Sequence, residues 1–215
     1  MLVEQASNIG CKHYLEQRMN FSFIFIGSTH SFIDDFSKQE EIIKLTDPKF
    51  VLSESLEDLK LDSEKKFKEI LKKRVVSNMT SFDEVKKLIE LCFDKKINLV
   101  GIDLHNFGLD DNLQRKVKNQ EELTKEDEGK LDKIIKLREQ LHLSRILEYR
   151  KKTTHTIIVI VGCWHLRQGS LLRRNLKNYK IIAPVDKSGE VLLAPDENKE
   201  IRYGEIVSNG HKAEN

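Results

Sequence analysis

Long apolar stretches and closely spaced cysteines are both missing from this chain of 215 residues. No run approaches the roughly 20 apolar residues that a membrane-spanning helix needs. The 3 cysteines, Cys11, Cys92 and Cys163, stand far apart, which fits neither a disulfide framework nor a zinc ribbon. The amino-terminal segment lacks the basic stretch and apolar core of a secretory signal. These absences predict a cytoplasmic protein without a membrane partner.

A strong excess of charge of one sign is also missing. The chain has 37 lysines and arginines against 35 acidic residues, a net charge of +2, and the two signs are mixed along its predicted helices. Nucleic-acid-binding proteins usually concentrate basic charge on one face, so we expect no nucleic-acid partner. The length predicts one domain at residues 21–195, with a short arm at 1–20 and a polar tail at 196–215 in which residues 201–203 could add an edge strand.

One pattern occurs twice, once near each end of the chain. An apolar run at Phe21–Ile26 opens into Gly-x-x-His and ends at His30, and a second run at Thr156–Val161 does the same and ends at His165. Short apolar runs rich in Ile, Val and Phe are typical of strands that are covered on both faces. Glycine lets the chain turn sharply or approach another backbone closely. Each histidine is therefore expected just beyond the carboxyl end of a buried strand.

Between the strands, apolar positions recur at the spacing of an α-helix. Helices are predicted at residues 31–45, 62–76, 81–93, 130–150 and 166–176. A further strand at 180–184 is expected to pair with residues 190–193. The polar segment 106–129 has no clear periodicity and is predicted to be a loop or lid with marginal helix. The alternation of strands and helices predicts an α/β fold, with a mainly parallel central sheet and helices on both faces.

Two more predicted strands end in acidic residues. Phe50–Leu52 is followed by Glu54, and Ile97–Ile102 is followed directly by Asp103. The carboxyl ends of parallel strands lie at one edge of the sheet, which is where ligands bind in open α/β folds. Glu54 and Asp103 are therefore expected to converge with the two strand-end histidines at that edge.

The longest predicted helix carries polar residues on its apolar side. Counting at 100° per residue places Arg138 and His142 within the apolar stripe. An unpaired buried guanidinium is very costly, so Arg138 is expected to pair with Glu54 or Asp103. His142 is interpreted as a satisfied core histidine, with a role behind the site residues as the alternative.

The order of these motifs resembles the superfamily that includes erythromycin-esterase-like proteins, ChaN-like haem-binding proteins and the TraB/TIKI group of pheromone-shutdown proteins and metalloproteases. The resemblance lies in FIFIGSTHS, VLSES, LVGIDLH, LREQL and IVGCWHL, which together span about Phe21 to Leu166. It implies that His30 and His165 are metal ligands or an acid/base pair, and that Glu54 is a ligand or general base. It also implies that Arg138 orients a carboxylate or stabilises an oxyanion.

Asp103 is a further candidate ligand, although a turn cap is the alternative for this residue. Glu54 has an alternative role too, as a buried salt-bridge partner of Arg138 or Arg145. Cys163 is interpreted as a packing residue rather than a nucleophile, and Trp164 as either a wall of the pocket or a packing residue.

Two imidazoles and a carboxylate are a common ligand set for a catalytic divalent metal with an open position. Together with this ligand set, the resemblance implies a hydrolase that activates water on an ester or amide of a small molecule or peptide, with Zn, Mn, Fe or Co as the metal. Without a metal, His30 or His165 is expected to act as general base, with Glu54 setting its tautomer. The alternative function is a haem- or peptide-binding regulatory protein without catalysis.

Overall fold

The computed structural model describes residues 21–28, 35–185 and 202–207. The predicted arm at residues 1–20, the strand-end residue His30 and the predicted strand at 190–193 all lie outside these ranges.

Within these ranges, seven strands form one sheet. The strands are β1 (Phe23–Ser28), β2 (Phe50–Ser53), β3 (Lys60–Leu61), β4 (Asn98–Gly101), β5 (Ile157–Gly162), β6 (Tyr179–Val185) and β7 (Arg202–Val207). Their order across the sheet is β3-β4-β2-β5-β1-β6-β7. The five central strands are parallel, whereas β3 and β7 pair antiparallel with β4 and β6 at the two edges.

Helices cover both faces of this sheet, which confirms the predicted α/β class. The helices are α1 (Asp35–Thr46), α2 (Glu64–Lys73), α3 (Phe82–Asp94), α4 (Asp111–Lys118), α5 (Lys125–Arg150) and α6 (Leu171–Asn175). Helices α1, α2 and α3 contribute to one buried apolar cluster, and α5 and α6 contribute to the other. Successive side chains of a strand point to opposite faces, so Ile24 and Ile26 enter the first cluster while Phe23 and Phe25 enter the second. The continuous apolar runs of the sequence follow from this double coverage.

None of the helices in the described ranges is both long enough and apolar enough to cross a membrane.

The segment 106–129, predicted as a loop or lid with marginal helix, contains more helix than expected. It contains a 3₁₀ turn at His105–Gly108, the whole of α4 and the first turn of α5. Its helix starts are fixed by caps: Asp110 accepts a hydrogen bond from the backbone N–H of Leu113, and Thr124 forms a reciprocal capping box with Asp127. Such caps satisfy orphan backbone donors at a helix start, where apolar periodicity gives little signal.

The helix predicted at 166–176 is also shorter than expected. A 3₁₀ turn at Cys163–Leu166 follows β5, and α6 begins only at Leu171. Gly169 has φ of +80° and breaks the helical path, after which the Ser170 side chain caps α6.

Candidate metal centre

Three buried side chains meet at the carboxyl edge of the sheet: Glu54, His142 and His165. Glu54 begins the 3₁₀ turn that follows β2, and His165 lies in the 3₁₀ turn that follows β5. Strands β2 and β5 are parallel neighbours, with Ser53 opposite Ile160, so both turns leave the sheet at the same edge. His142 comes from the buried side of α5.

The ligand atoms of these three residues all lie within 4.8 Å of one another, so the group could hold a metal ion. Their side chains are 4%, 0% and 6% exposed, for Glu54, His142 and His165. Imidazole nitrogens and a carboxylate oxygen are ordinary ligands of divalent metals. Ligands of one tetrahedral zinc stand roughly 3.3 Å apart, so closing around an ion requires a small inward adjustment of these side chains.

His165 lies between two carboxylates. Its Nε2 is 3.6 Å from Oε2 of Glu54, and its Nδ1 is 3.4 Å from Oε1 of Glu139. Burial holds the pKa of His165 below its ordinary value, and the charge of Arg138 acts in the same direction, while the two carboxylates oppose this shift. The imidazole is therefore neutral near pH 7, which is the form that binds a metal.

His142 is fully buried, and its two ring nitrogens have different surroundings. Its Nε2 is 2.9 Å from Oδ2 of Asp103, which is hydrogen-bond distance, although the two groups are not well aligned for such a bond. Among the described residues, Nδ1 has no hydrogen-bond partner. The ring stands at 77° to that of His165, with centroids 4.8 Å apart. The interpretation of His142 as a satisfied core histidine is therefore not supported.

Asp103 is held in place by the close approach of two backbone segments. A Cβ on Gly101 would lie 2.6 Å from the carbonyl oxygen of Leu56 and still closer to that of Glu57. The glycine thus lets the end of β4 pack against the turn that carries Glu54. The backbone N–H of Asp103 then donates to the carbonyl of Glu57 at 2.9 Å.

Arg138 pairs with Asp103 through one edge of its guanidinium group. Its Nε lies 3.0 and 2.9 Å from the two carboxylate oxygens, and its Nη2 lies 2.6 Å from Oδ2. Burial alone would raise the pKa of Asp103, but the contacts with His142 and Arg138 outweigh burial and lower it. The predicted pairing of Arg138 is confirmed, with Asp103 as the partner. Asp103 lies behind His142 and outside the three-residue group, whereas the sequence analysis placed it among the ligands.

A second arginine–carboxylate pair lies behind His165. Nη1 of Arg167 donates to Oε1 of Glu139, the same oxygen that approaches His165. Burial opposes ionisation of Glu139, but the bond from Arg167 outweighs burial, so the pKa of Glu139 is lowered. The sequence analysis missed Glu139 and Arg167. The available signal was the spacing of Glu139 and His142, which puts two residues three apart on one helix face.

Each arginine also stacks on an aromatic ring. The guanidinium of Arg138 lies 4.7 Å from the centroid of Phe107, and that of Arg167 lies 4.6 Å from the centroid of Trp164. Phe107 has φ of +53°, which is rare for an aromatic residue, and its turn is secured by a hydrogen bond from the backbone N–H of Asn106 to Glu57 at 2.6 Å. In both places an aromatic ring contacts an arginine, the arginine binds a carboxylate, and the carboxylate lies against a histidine of the group.

The structure thus brings together most of the site residues expected from the sequence. Glu54, Arg138 and His165 lie together with Asp103, and His142 joins them. The fifth expected residue, His30, lies outside the described residues.

Cys163 is buried and Trp164 is exposed, so these neighbours of His165 face different environments.

In comparisons with protein-family models, curated proteins and solved structures, no match to this chain was found.

Proposed function

We propose that this protein is a metal-dependent hydrolase. In this proposal Glu54, His142 and His165 hold one divalent cation, and the enzyme cleaves an ester or amide bond with water. The observation that carries the proposal is the mutual approach of three buried ligand atoms within 4.8 Å. Burying three polar side chains together is costly unless they are satisfied by partners or by an ion.

The carboxylates next to the two histidines suggest which ring nitrogen of each histidine binds the metal. Asp103 lies 2.9 Å from Nε2 of His142, and we propose that this nitrogen carries the proton, which leaves Nδ1 for the metal. Glu139 lies against Nδ1 of His165, so Nε2, which faces Glu54, is left for the metal. A carboxylate on the second nitrogen of a ligating histidine fixes its tautomer and raises its basicity. In this proposal the two histidines adopt opposite tautomers.

A divalent cation in such a site polarises a carbonyl group and lowers the pKa of water toward about 7. The protein residues contribute orientation and charge. Arg138 uses Nε and Nη2 for Asp103, which leaves Nη1 without a hydrogen bond to any described residue. Its positive charge interacts with Glu54, and in this proposal Arg138 stabilises the negative charge that develops on the substrate oxygen.

This set of ligands is compatible with several divalent metals. A carboxylate with two imidazoles is the zinc set of several metallohydrolases, and the same donors also accept Mn, Fe or Co. We propose that the site binds one of these four ions. The amount of each metal that the purified protein retains identifies which one.

Hydrolysis of 4-nitrophenyl acetate and of a fluorogenic peptide mixture tests the activity. Protein reconstituted with each metal is compared with His165→Ala, and His155→Ala serves as control because its ring is exposed. We expect the His165 variant to fall to the rate of buffer while its circular dichroism is unchanged, and the His155 variant to keep the wild-type rate. Equal rates in wild type and His165→Ala would overturn the proposal. A Soret band that appears on adding haem and is lost in His165→Ala would instead support the binding alternative.

A further inference from the structure

Trp164 is the single tryptophan of the chain and lies beside the candidate centre. It is 51% exposed, although its neighbours Cys163, His165 and Leu166 in the same turn are buried. A large aromatic side chain that stays half in solvent next to a buried polar group is available to contact a ligand. One face of its ring is covered by the guanidinium of Arg167.

Arg167 uses only part of its hydrogen-bonding capacity within the protein. Its Nη1 donates to Glu139 and, at 2.7 Å, to the backbone carbonyl of Trp164. Its Nε and Nη2 make no hydrogen bond to any described residue, and the side chain is 30% exposed. Arginine has five N–H donors in a fixed planar arrangement, so three of them are left for another group.

The unused edge of Arg167 has a counterpart within the same site. Arg138 holds the carboxylate of Asp103 with the corresponding Nε and Nη2 edge. This edge binds planar carboxylates and phosphates with two parallel hydrogen bonds, and a lysine cannot reproduce that geometry. Arg167, whose side chain is 30% exposed, therefore leaves unused the arrangement that Arg138 already uses to bind an anion.

We infer that Arg167 and Trp164 form an anion-binding subsite at the rim of the centre, which takes a carboxylate or phosphate group of the substrate. Glu139 separates Arg167 from His165, so the bound anion lies one carboxylate away from a proposed metal ligand. The role of the subsite in turnover rests on the proposed hydrolase function, whereas anion binding itself does not.

Charge balance favours the same conclusion. The carboxylates of Glu54, Asp103, Glu139 and the buried Glu57 outnumber the two guanidinium groups of Arg138 and Arg167 in the described centre. Histidines bound to a metal are neutral, so a divalent cation would offset this negative balance. Anion binding is therefore expected to strengthen when metal is bound, and by linkage the anion would strengthen metal binding by the same factor.

Because Trp164 is the single tryptophan, its fluorescence reports directly on the subsite. Metal-loaded and chelator-treated protein are titrated with benzoate, with inorganic phosphate and with the uncharged benzamide, and calorimetry is run in parallel. We expect saturable binding of benzoate or phosphate and at least tenfold weaker binding of benzamide. The anion that binds more tightly then indicates whether the substrate group is a carboxylate or a phosphate.

Two substitutions of Arg167 separate the subsite from the metal centre. Arg167→Lys keeps a positive charge beside Glu139 but loses the two-donor edge, and Arg167→Gln loses both. Each is expected to weaken anion binding at least tenfold, and the lysine variant is expected to keep the wild-type metal content. The exposed Arg174→Gln is the matched control and is expected to bind like wild type.

The inference is overturned if neither anion gives saturable binding to wild type, or if Arg167→Lys binds with wild-type affinity. If wild type retains no metal, the hydrolase proposal fails. In that case saturable anion binding that depends on Arg167 still supports the subsite, so the two failures are distinguishable.

Discussion

Replacing Asp103 with asparagine is expected to destabilise the protein by about 3 kcal/mol, the lower end of the range for breaking a buried ion pair. The Asp103 side chain is 0% exposed and its partner Arg138 is 17% exposed, so solvent cannot replace the lost charge. The amide of asparagine still accepts one hydrogen bond from Arg138, which is why the lower end of the range applies. Replacing both partners with apolar residues should cost less than breaking the pair from one side.

Equilibrium unfolding in urea, followed by far-ultraviolet circular dichroism, measures this loss. A chelator is present so that metal binding does not contribute to stability. The control is Glu148→Gln, which breaks an i,i+4 bridge to Lys152 with an N–O distance of 2.7 Å and side chains that are 44% and 46% exposed. That bridge should be worth at most about 0.5 kcal/mol. If Asp103→Asn costs no more than the control, the argument from burial is wrong.

Four further substitutions test the packing, the titration and the orientation of the site. Gly101→Ala is expected to cost about 3 kcal/mol or more in urea unfolding, because the new Cβ meets the carbonyl oxygens of Leu56 and Glu57. Gly129→Ala, in an exposed part of α5 with no atom within 4 Å of the new Cβ, should instead stabilise by about 0.5–1 kcal/mol. Burial raises the pKa of Cys92 from 9.0 to about 12, so stability from the neutral thiol is present below pH 9 and is lost as pH rises toward 12. The unfolding free energy of wild type should therefore fall relative to Cys92→Ala by about 2 kcal/mol between pH 8 and pH 10.5, and a constant difference would refute this. Glu139→Gln should weaken metal binding about 10- to 100-fold in competition with a chelating dye, because the carboxylate beside a proposed histidine ligand is lost.

The sheet could be predicted because most of its strands are recognisable as apolar runs in the sequence. Apolar runs such as Ile157–Gly162 are buried on both faces, so composition alone marks them. The edge strand Lys60–Leu61 was not predicted, since two residues paired through backbone groups carry no periodicity. The caps of α4 and α5 were likewise hidden, because capping depends on local side-chain to backbone bonds rather than on an apolar stripe.

The site was predictable in part for a similar reason. Glu54 could be placed at the sheet edge because it follows an unmistakable strand. It lies at the same edge as His165 because both residues follow parallel strands. His142 was harder to assign, since a histidine on an apolar helix stripe has the same pattern whether it is a core residue or a ligand. Glu139 and Arg167 contact each other across 28 positions of sequence, and their pairing depends on how α5 packs over the turn after β5. Such long-range packing is not encoded in any local pattern.

Metal content tests the central claim most directly. Purified protein reconstituted with zinc, manganese, iron or cobalt and then desalted is analysed by mass spectrometry, with Glu54→Gln, His142→Ala and His165→Ala compared with wild type and with the exposed control His155→Ala. We predict close to one equivalent of one of these metals in wild type and in the control, and loss of that metal in each of the other three variants. His142→Ala is the sharpest of the three, because only the geometry of the folded protein places this residue in the group that could hold a metal. Wild type that retains no metal after reconstitution, or a His142 variant that retains a full equivalent, would contradict the proposed centre.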